Sequence, residues 1–163
     1  MPKRTVPFVV EAGQGRTIQG PAGGPLEFKA RGEQTGGSLL VLENIIASGE
    51  GPPLHSHAEH DEAWYIIEGS LRFKLGDEVR SAPAGSFVFV PRGTHHCFQN
   101  VDRESARILV IFSPAGMESF FEGLSSLPEG PIDPGVYGEI ASRAGMTVVG
   151  PPLADSGRTR PSP

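Results

Sequence analysis

Three histidines and one glutamate lie at a spacing that can gather their side chains around one metal ion. His55 and His57 are separated by one residue, Glu62 follows after four more, and His96 comes from a distant segment. On a β-strand, alternate side chains point to the same face, so both imidazoles of the pair can reach one centre. Neutral imidazole and carboxylate suit a divalent first-row metal. We therefore predict one metal ion per subunit.

The ligand types leave the identity of the metal open among Fe, Mn, Ni, Co, Cu and Zn. Four protein ligands leave a position for substrate only if the geometry is five- or six-coordinate. A strictly tetrahedral zinc site would instead be closed and structural.

The segments that must position these ligands have the pattern of short strands separated by turns. The chain has 163 residues with Gly 22 and Pro 16, which agrees with many turns and one domain. Several short strands at this spacing predict an all-β sandwich or barrel. The candidate strands cover residues 26–31, 38–47, 62–68, 71–75, 79–82, 86–90, 95–99 and 106–112.

The flanking segments differ from this region in composition. We expect residues 1–24 to be an N-terminal arm with one strand at residues 8–10, residues 25–113 to be the β-barrel, and residues 151–163 to be a disordered tail. Residues 114–150 have helical periodicity. We predict one helix capped by Ser113, a second running from Asp133 to Ala144, and an edge strand at residues 146–149.

Composition excludes several classes of protein. The net charge is −5 and the lysines and arginines are scattered, so a nucleic-acid partner is not expected. The single cysteine, Cys97, excludes an intramolecular disulfide. No apolar run approaches a membrane span, and the N-terminus lacks the apolar region of a signal peptide. We therefore expect a cytoplasmic protein whose partner is a small-molecule substrate.

Two motifs surround the four ligands. The first is G-x5-H-x-H-x4-E-x6-G from Gly49 to Gly69, and the second is G-x5-P-x-G-x2-H-x3-N from Gly85 to Asn100. In ligand order and glycine spacing the chain resembles the cupin family over roughly residues 38–112. This resemblance implies an all-β cupin double-stranded β-helix (jelly roll) with the metal inside the barrel, short C-terminal helices, and a homodimer.

The residues around the motifs are similar to those of single-domain cupins described as quercetinase-like. That similarity implies a metal-dependent dioxygenase acting on a small aromatic or enolisable substrate, with Glu62 as both metal ligand and general base. Two alternatives stay open because cupins serve many functions. One is a non-redox metal-dependent isomerase, decarboxylase or lyase, and the other is a non-catalytic cupin that binds a small molecule.

Strand parity predicts which residues line the substrate pocket. Trp64 and Ile66 share the parity of Glu62, and Phe98 shares that of His96. Phe73 and Val41 are further candidates by the same argument.

For other residues near the ligands we expect no direct part in the site. We expect His60 to be solvated, His95 to point outward, Cys97 to pack between layers, Asn100 to hold a turn, and Arg92 to lie in a turn at the mouth of the barrel.

Overall fold

The structure is a computed structural model that describes residues 5–153. Within this range the strands form two antiparallel sheets. The six-stranded sheet has the order β1 (Thr17–Gln19), β2 (Gly23–Ala30), β3 (Leu40–Ile46), β10 (Ala106–Ser113), β5 (Asp61–Glu68) and β8 (Phe87–Val90). The five-stranded sheet has the order β11 (Met146–Pro152), β4 (Pro53–His57), β9 (His96–Asn100), β6 (Ser70–Leu75) and β7 (Glu78–Pro83). The helices are α1 (Gly32–Thr35), α2 (Glu118–Ser125) and α3 (Pro134–Arg143).

Alternation of buried and partly exposed residues explains how the strands build a core. β3 and β10 pair antiparallel, with Leu42 opposite Val110, and every second residue of each strand is buried. Side chains of one parity therefore face the interior, as the period of a half-buried strand requires. Both sheets contribute to a continuous apolar core, which includes Leu26, Leu42, Ile66, Leu71, Phe73 and Ile108.

All eight candidate strands are present, with ends shifted by at most three residues. A further strand, β4, was not among the candidates. The edge strand predicted at residues 146–149 is also present, as β11 beside β4. The strand expected at residues 8–10 is not found, and the first strand is instead β1, which pairs with β2. In the predicted disordered tail, Pro151 and Pro152 belong to β11 and Leu153 is buried. Residues 154–163 of that tail, and residues 1–4 of the arm, lie outside the described residues.

The second predicted helix is confirmed, with its cap. The Asp133 carboxylate accepts hydrogen bonds from the backbone N–H groups of Gly135 (2.8 Å) and Val136 (3.1 Å). These bonds satisfy donors that the first turn of a helix leaves free. The helix α3 then runs to Arg143.

The start predicted for the first helix is wrong. Ser113 is the last residue of β10, where it pairs with Asp61, and α2 begins only at Glu118. The Glu118 carboxylate accepts hydrogen bonds from the backbone N–H groups of Gly32 (2.7 Å) and Gly116 (2.9 Å), which attaches the start of α2 to the start of α1. The apolar stripe of the helix does face the core, through Phe120, Phe121 and Leu124.

A second contact ties α2 to the six-stranded sheet. The Glu122 carboxylate forms ion pairs with Nη1 of Arg31 at 2.7 Å and with Nη1 of Arg16 at 2.9 Å. Among residues 5–153, none of the helices combines the length and apolar character that crossing a membrane requires.

Candidate metal centre

Three strands carry the four candidate ligands. β4 holds His55 and His57, β5 holds Glu62 at its second position, and β9 begins with His96. β4 and β9 are antiparallel neighbours in which His55 pairs directly with His96. The five-stranded sheet therefore supplies all three imidazoles, and the six-stranded sheet supplies the carboxylate.

The four side chains converge on one point. Glu62 Oε2 lies 3.0 Å from Nε2 of His57 and 2.9 Å from Nε2 of His96. One ligand atom from each of the four residues lies within 4.8 Å of the other three. The side chains are almost fully buried, with exposed fractions of 4% for His55, 2% for His57, 6% for Glu62 and 1% for His96. This arrangement is a metal-binding cluster of three histidines and one glutamate.

Backbone carbonyls orient two of the imidazoles. Nδ1 of His55 lies 2.7 Å from the Pro53 carbonyl oxygen, and Nδ1 of His96 lies 2.8 Å from that of Thr94. A carbonyl oxygen can only accept, so each Nδ1 carries a proton and each Nε2 is directed to the centre. Partners of this kind fix the tautomer of histidines that bind metals.

The donor set fits a divalent cation. Without one, His96 must donate from both ring nitrogens, to the Thr94 carbonyl and to Glu62, and therefore must be an imidazolium. A cation between Nε2 and the carboxylate replaces that proton and leaves the imidazole neutral, which is the form that binds metals. The chemistry of the residues thus favours a metal ion over a purely structural hydrogen-bond network.

Burial and neighbouring charges set the protonation of the centre. Burial, aided by the charge of His96, lowers the pKa of His55 to about 3. For Glu62, burial raises the pKa, but hydrogen bonds from His57 and His96 outweigh it and lower the pKa to about 2. The pKa of His96 is raised overall. Burial alone would lower this pKa, but the hydrogen bond to Glu62 and its negative charge outweigh burial. His55 is therefore neutral and Glu62 ionised near neutral pH, as metal binding requires.

A cavity of about 90 Å³ adjoins the centre, and its walls include His55, His57 and Glu62. The rest of the wall is mainly apolar, and among the described residues that line it there is no lysine or arginine. Side chains from both sheets and from α2 contribute, including Trp64, Phe98, Val110, Phe112, Met117 and Phe121.

Two of the five residues predicted for the pocket, Trp64 and Phe98, line this cavity. The other three do not. Ile66 is fully buried in the core, and Phe73 packs behind the wall, with its ring 5.2 Å from that of Trp64 and 5.6 Å from that of Phe98. Val41 is half-buried, between the inward-facing Leu40 and Leu42. The parity assigned to Val41 was therefore wrong. For Ile66 and Phe73 the parity is inward, but their positions along the strands keep them out of the cavity wall.

Among the neighbours of the ligands, His60 differs from expectation. We predicted a solvated side chain, but His60 is 7% exposed and its ring lies 6.2 Å from that of His57 and 6.4 Å from that of Phe112. Gly116 lies directly beside it, where a Cβ would be 2.8 Å from His60 Nε2. A loop residue is buried here because the segment before α2 covers it.

His95, Cys97 and Asn100 behave as predicted. His95 is exposed, and Cys97 is fully buried, which raises the pKa of its thiol. The Asn100 amide holds a turn by donating to the backbone carbonyl of Glu104 at 2.8 Å. Arg92 forms an ion pair with Asp61, with Nε at 3.0 Å from the carboxylate.

Sequence analysis missed the helical part of the cavity wall. Met117, Phe120 and Phe121 line the cavity from the segment around α2, and Tyr137 lines it from α3. The apolar stripe of α2 was visible in the sequence, but its period indicates only a buried face and does not indicate what the face covers. No sequence pattern pointed to Tyr137, nor to Asn44, a buried polar residue of β3 in the same wall.

Comparison with known proteins supports this description. Residues 42–112 match the Cupin_2 family, described as a cupin domain. A protein named quercetin 2,3-dioxygenase from Bacillus subtilis is 29% identical over 136 residues, which are 82% of this chain and 39% of that protein. The tetracenomycin polyketide synthase protein TcmJ from Streptomyces glaucescens is 37% identical over 81 residues, 49% of this chain and 52% of that protein. The chain therefore spans less than two thirds of the length of either relative.

A solved structure shows the same fold. An RmlC-like cupin from Shewanella frigidimarina superposes with a TM-score of 0.59 at 18% identity, covering 69% of this chain and 96% of that chain. The chain thus contains a cupin domain, and its fold is the predicted cupin double-stranded β-helix.

Proposed function

We propose that the protein is a metal-dependent dioxygenase that acts on a small aromatic or enolisable substrate. The observation that carries this proposal is the apolar cavity directly beside the three-histidine, one-glutamate centre. A small anionic substrate, such as a dicarboxylate or a sugar phosphate, would find no cationic side chain among the described lining residues, so only the metal itself would offset its loss of hydration. An uncharged aromatic ring avoids that loss. The name of the Bacillus relative supports the same reaction class.

The residues around the centre have distinct roles in this proposal. A bound divalent metal would supply a Lewis acid and, for a redox-active ion, a partner for dioxygen. The ionised Glu62 accepts a proton from a substrate hydroxyl. Against the opposing effect of burial, hydrogen bonds from His57 and His96 lower the pKa of Glu62 in the metal-free centre, so this carboxylate is ionised near neutral pH and can accept a proton. The rings of Trp64, Phe98 and Phe112 hold the substrate and exclude water.

Oxygen consumption tests this function. Protein reconstituted separately with Fe, Mn, Co, Ni or Cu is supplied with quercetin and with single-ring enolisable compounds, and His95→Ala serves as a control with an intact centre. We expect oxygen uptake that matches substrate loss with at least one metal. No uptake with any combination contradicts the proposal. Turnover without oxygen would identify the isomerase, decarboxylase or lyase alternative, and tight binding without conversion would identify a binding protein.

We also propose a homodimer in a cytoplasmic setting, with a small molecule and no nucleic acid as partner. The support for the dimer is the outer face of the edge strand β8, where Phe87 is 64% and Phe89 55% exposed. Exposed aromatic side chains on one strand edge favour contact with another protein surface. Sedimentation should show a dimer that Phe87→Ser with Phe89→Ser converts to a monomer. A monomeric parent protein would contradict it.

A further inference from the structure

The cavity at the metal centre is small for the substrates that the proposed function implies. Its volume of about 90 Å³ is well below that of pockets for drug-sized ligands, which are on the order of 300–1,000 Å³. A substrate with two or three rings must therefore extend beyond it.

A second, larger space lies next to this cavity. It is an outer cleft of about 780 Å³, formed by the turn between β1 and β2 and by the connection between α2 and α3. Its wall is partly apolar, through Leu124, Leu127 and Ile132, and its charged members are the acidic Glu50 and Glu129. Like the inner cavity, it has no lysine or arginine among its described lining residues.

The inner cavity and the outer cleft share two lining residues within the described chain, Pro21 and Tyr137. Pro21 lies in the turn before β2, and Tyr137 lies in the first turns of α3. These two residues therefore form the boundary between the spaces. Of the two, Tyr137 has the longer side chain, and its removal would join them.

Packing holds Tyr137 in this position. Its ring makes an edge contact with Phe120 at 5.6 Å, and the Asp133 cap fixes the start of its helix. Burial, followed by the negative charge of Glu62, raises the pKa of the Tyr137 hydroxyl. Tyr137 also lines the cavity that His55, His57 and Glu62 line, which independently places it near the metal centre.

We infer that the inner cavity and the outer cleft form one two-chamber substrate site, divided by Tyr137. The site takes an uncharged, elongated aromatic compound whose oxygen-bearing ring enters the inner chamber and whose other rings lie in the outer chamber. Tyr137 is then a specificity-determining residue that limits passage by size. This inference rests on the proposed function for the substrate class, but its test needs no turnover.

The test measures binding to the Zn(II)-loaded protein by three compounds with the same chelating head and increasing size. These probes are maltol with one ring, 3-hydroxychromone with two and 3-hydroxyflavone with three, and each is followed by its own absorbance in stopped flow. Tyr137→Ala should raise the association rate of 3-hydroxyflavone by at least about tenfold and that of maltol by less than about threefold, since only the larger probe must pass the boundary. Zinc content should stay unchanged.

Two further variants make the result specific. Tyr137→Trp adds bulk at the boundary and should slow 3-hydroxyflavone while leaving maltol unchanged, which keeps the test decisive if the alanine variant does not fold. Val136→Ala changes an exposed neighbour on the same helix that lines neither space, and it should leave all three probes unaffected. Equal effects of the Tyr137 variants on small and large probes, or no effect on either, overturn the inference. Absence of oxygen uptake would instead contradict only the dioxygenase reaction.

Discussion

The metal centre and the cover of its cavity are built in different ways. All four ligands come from strands, and their side chains are fixed by sheet register, by backbone carbonyls and by Glu62 between two imidazoles. The cover comes largely from α2, α3 and the segment before α2, which are attached through side-chain contacts such as Glu118 with Gly32. The centre is part of the sheet framework, whereas the cover is packed onto it.

Because of this difference, the residues that would bind the metal are distinct from those that would select the ligand. Side chains on paired strands keep their mutual distances, which a metal centre needs within fractions of an ångström. Packed helices can change their side chains without disturbing the strand register. We therefore expect changes in the centre to alter metal binding, and changes in the cover to alter stability and ligand choice.

The largest effect should come from removing one ligand of the centre. His96→Ala deletes an imidazole and leaves Glu62 with one hydrogen-bond partner. Substitutions outside the ligand set already cost roughly 10- to 100-fold in metal affinity, so loss of a ligand should cost more than about 1,000-fold. Elemental analysis of protein purified without added metal measures the result. Unchanged metal content would refute the centre.

A substitution in the cover should be costly for folding but not for metal binding. Phe121 is 7% exposed and packs against Phe112 and Phe120, with ring centroids 6.0 and 5.0 Å apart. Phe121→Ala should reduce the free energy of unfolding by about 3 kcal/mol, because it removes a large buried ring. Urea denaturation checks the loss, and elemental analysis should still find one metal per chain. Loss of the metal in this variant would show that metal binding depends on the cover, which contradicts the prediction.

Acid should weaken the metal-free centre. The pKa of His55 falls from its ordinary 6.5 to about 3 in the folded chain, so unfolded protein binds a proton that folded protein does not between these values. The stability that the neutral His55 contributes is complete above pH 6.5 and is lost as the pH falls toward 3. The loss is on the order of 3 kcal/mol by pH 4. The lowered pKa of Glu62 also reduces stability as the pH falls, whereas the raised pKa of His96 increases stability at low pH.

Urea midpoints of the metal-free protein at pH 7 and pH 4 measure this dependence. His55→Gln removes the titrating group and should flatten it. Equal midpoints for the parent protein at the two pH values would contradict the predicted protonation of the centre.

The smallest effect should come from the histidine next to the ligand. His95 is exposed and points away from the centre. His95→Ala should change the free energy of unfolding by no more than about 0.5 kcal/mol, as for most surface substitutions, and should leave the metal content unchanged. A metal loss comparable to that of His96→Ala would show that strand parity had been assigned wrongly in β9.

Strand periodicity is a local property, so it predicted which side chains share a face, while the resemblance to the two cupin motifs implied that the distant segments meet in one centre. A spacing of two residues places His55 and His57 on one face, and the same period separates His96 from His95. Eight strands were identified from alternation and turn residues, with ends within three positions of those in the structure, but β4, which carries His55 and His57, was not among them.

The cover could not be predicted in the same way because it depends on contacts between distant segments. Ser113 and Pro114 have the local pattern of a helix start, but pairing with β5 keeps Ser113 in a strand. The choice between the two depends on tertiary packing, which overrides local propensity. Tyr137 reaches the cavity only because α3 lies beside α2, and no periodicity within α3 contains that information.

The pairing of His55 with His96 has a consequence for how the whole domain holds together. In the described chain these two residues face each other across β4 and β9, and both belong to the ligand set. An ion bound here acts as a cross-link between adjacent strands, so metal supply and folding are thermodynamically coupled. An ion present at 100 times its dissociation constant would add about 2.7 kcal/mol to stability. The melting temperature of the protein should therefore report how much metal its surroundings contain.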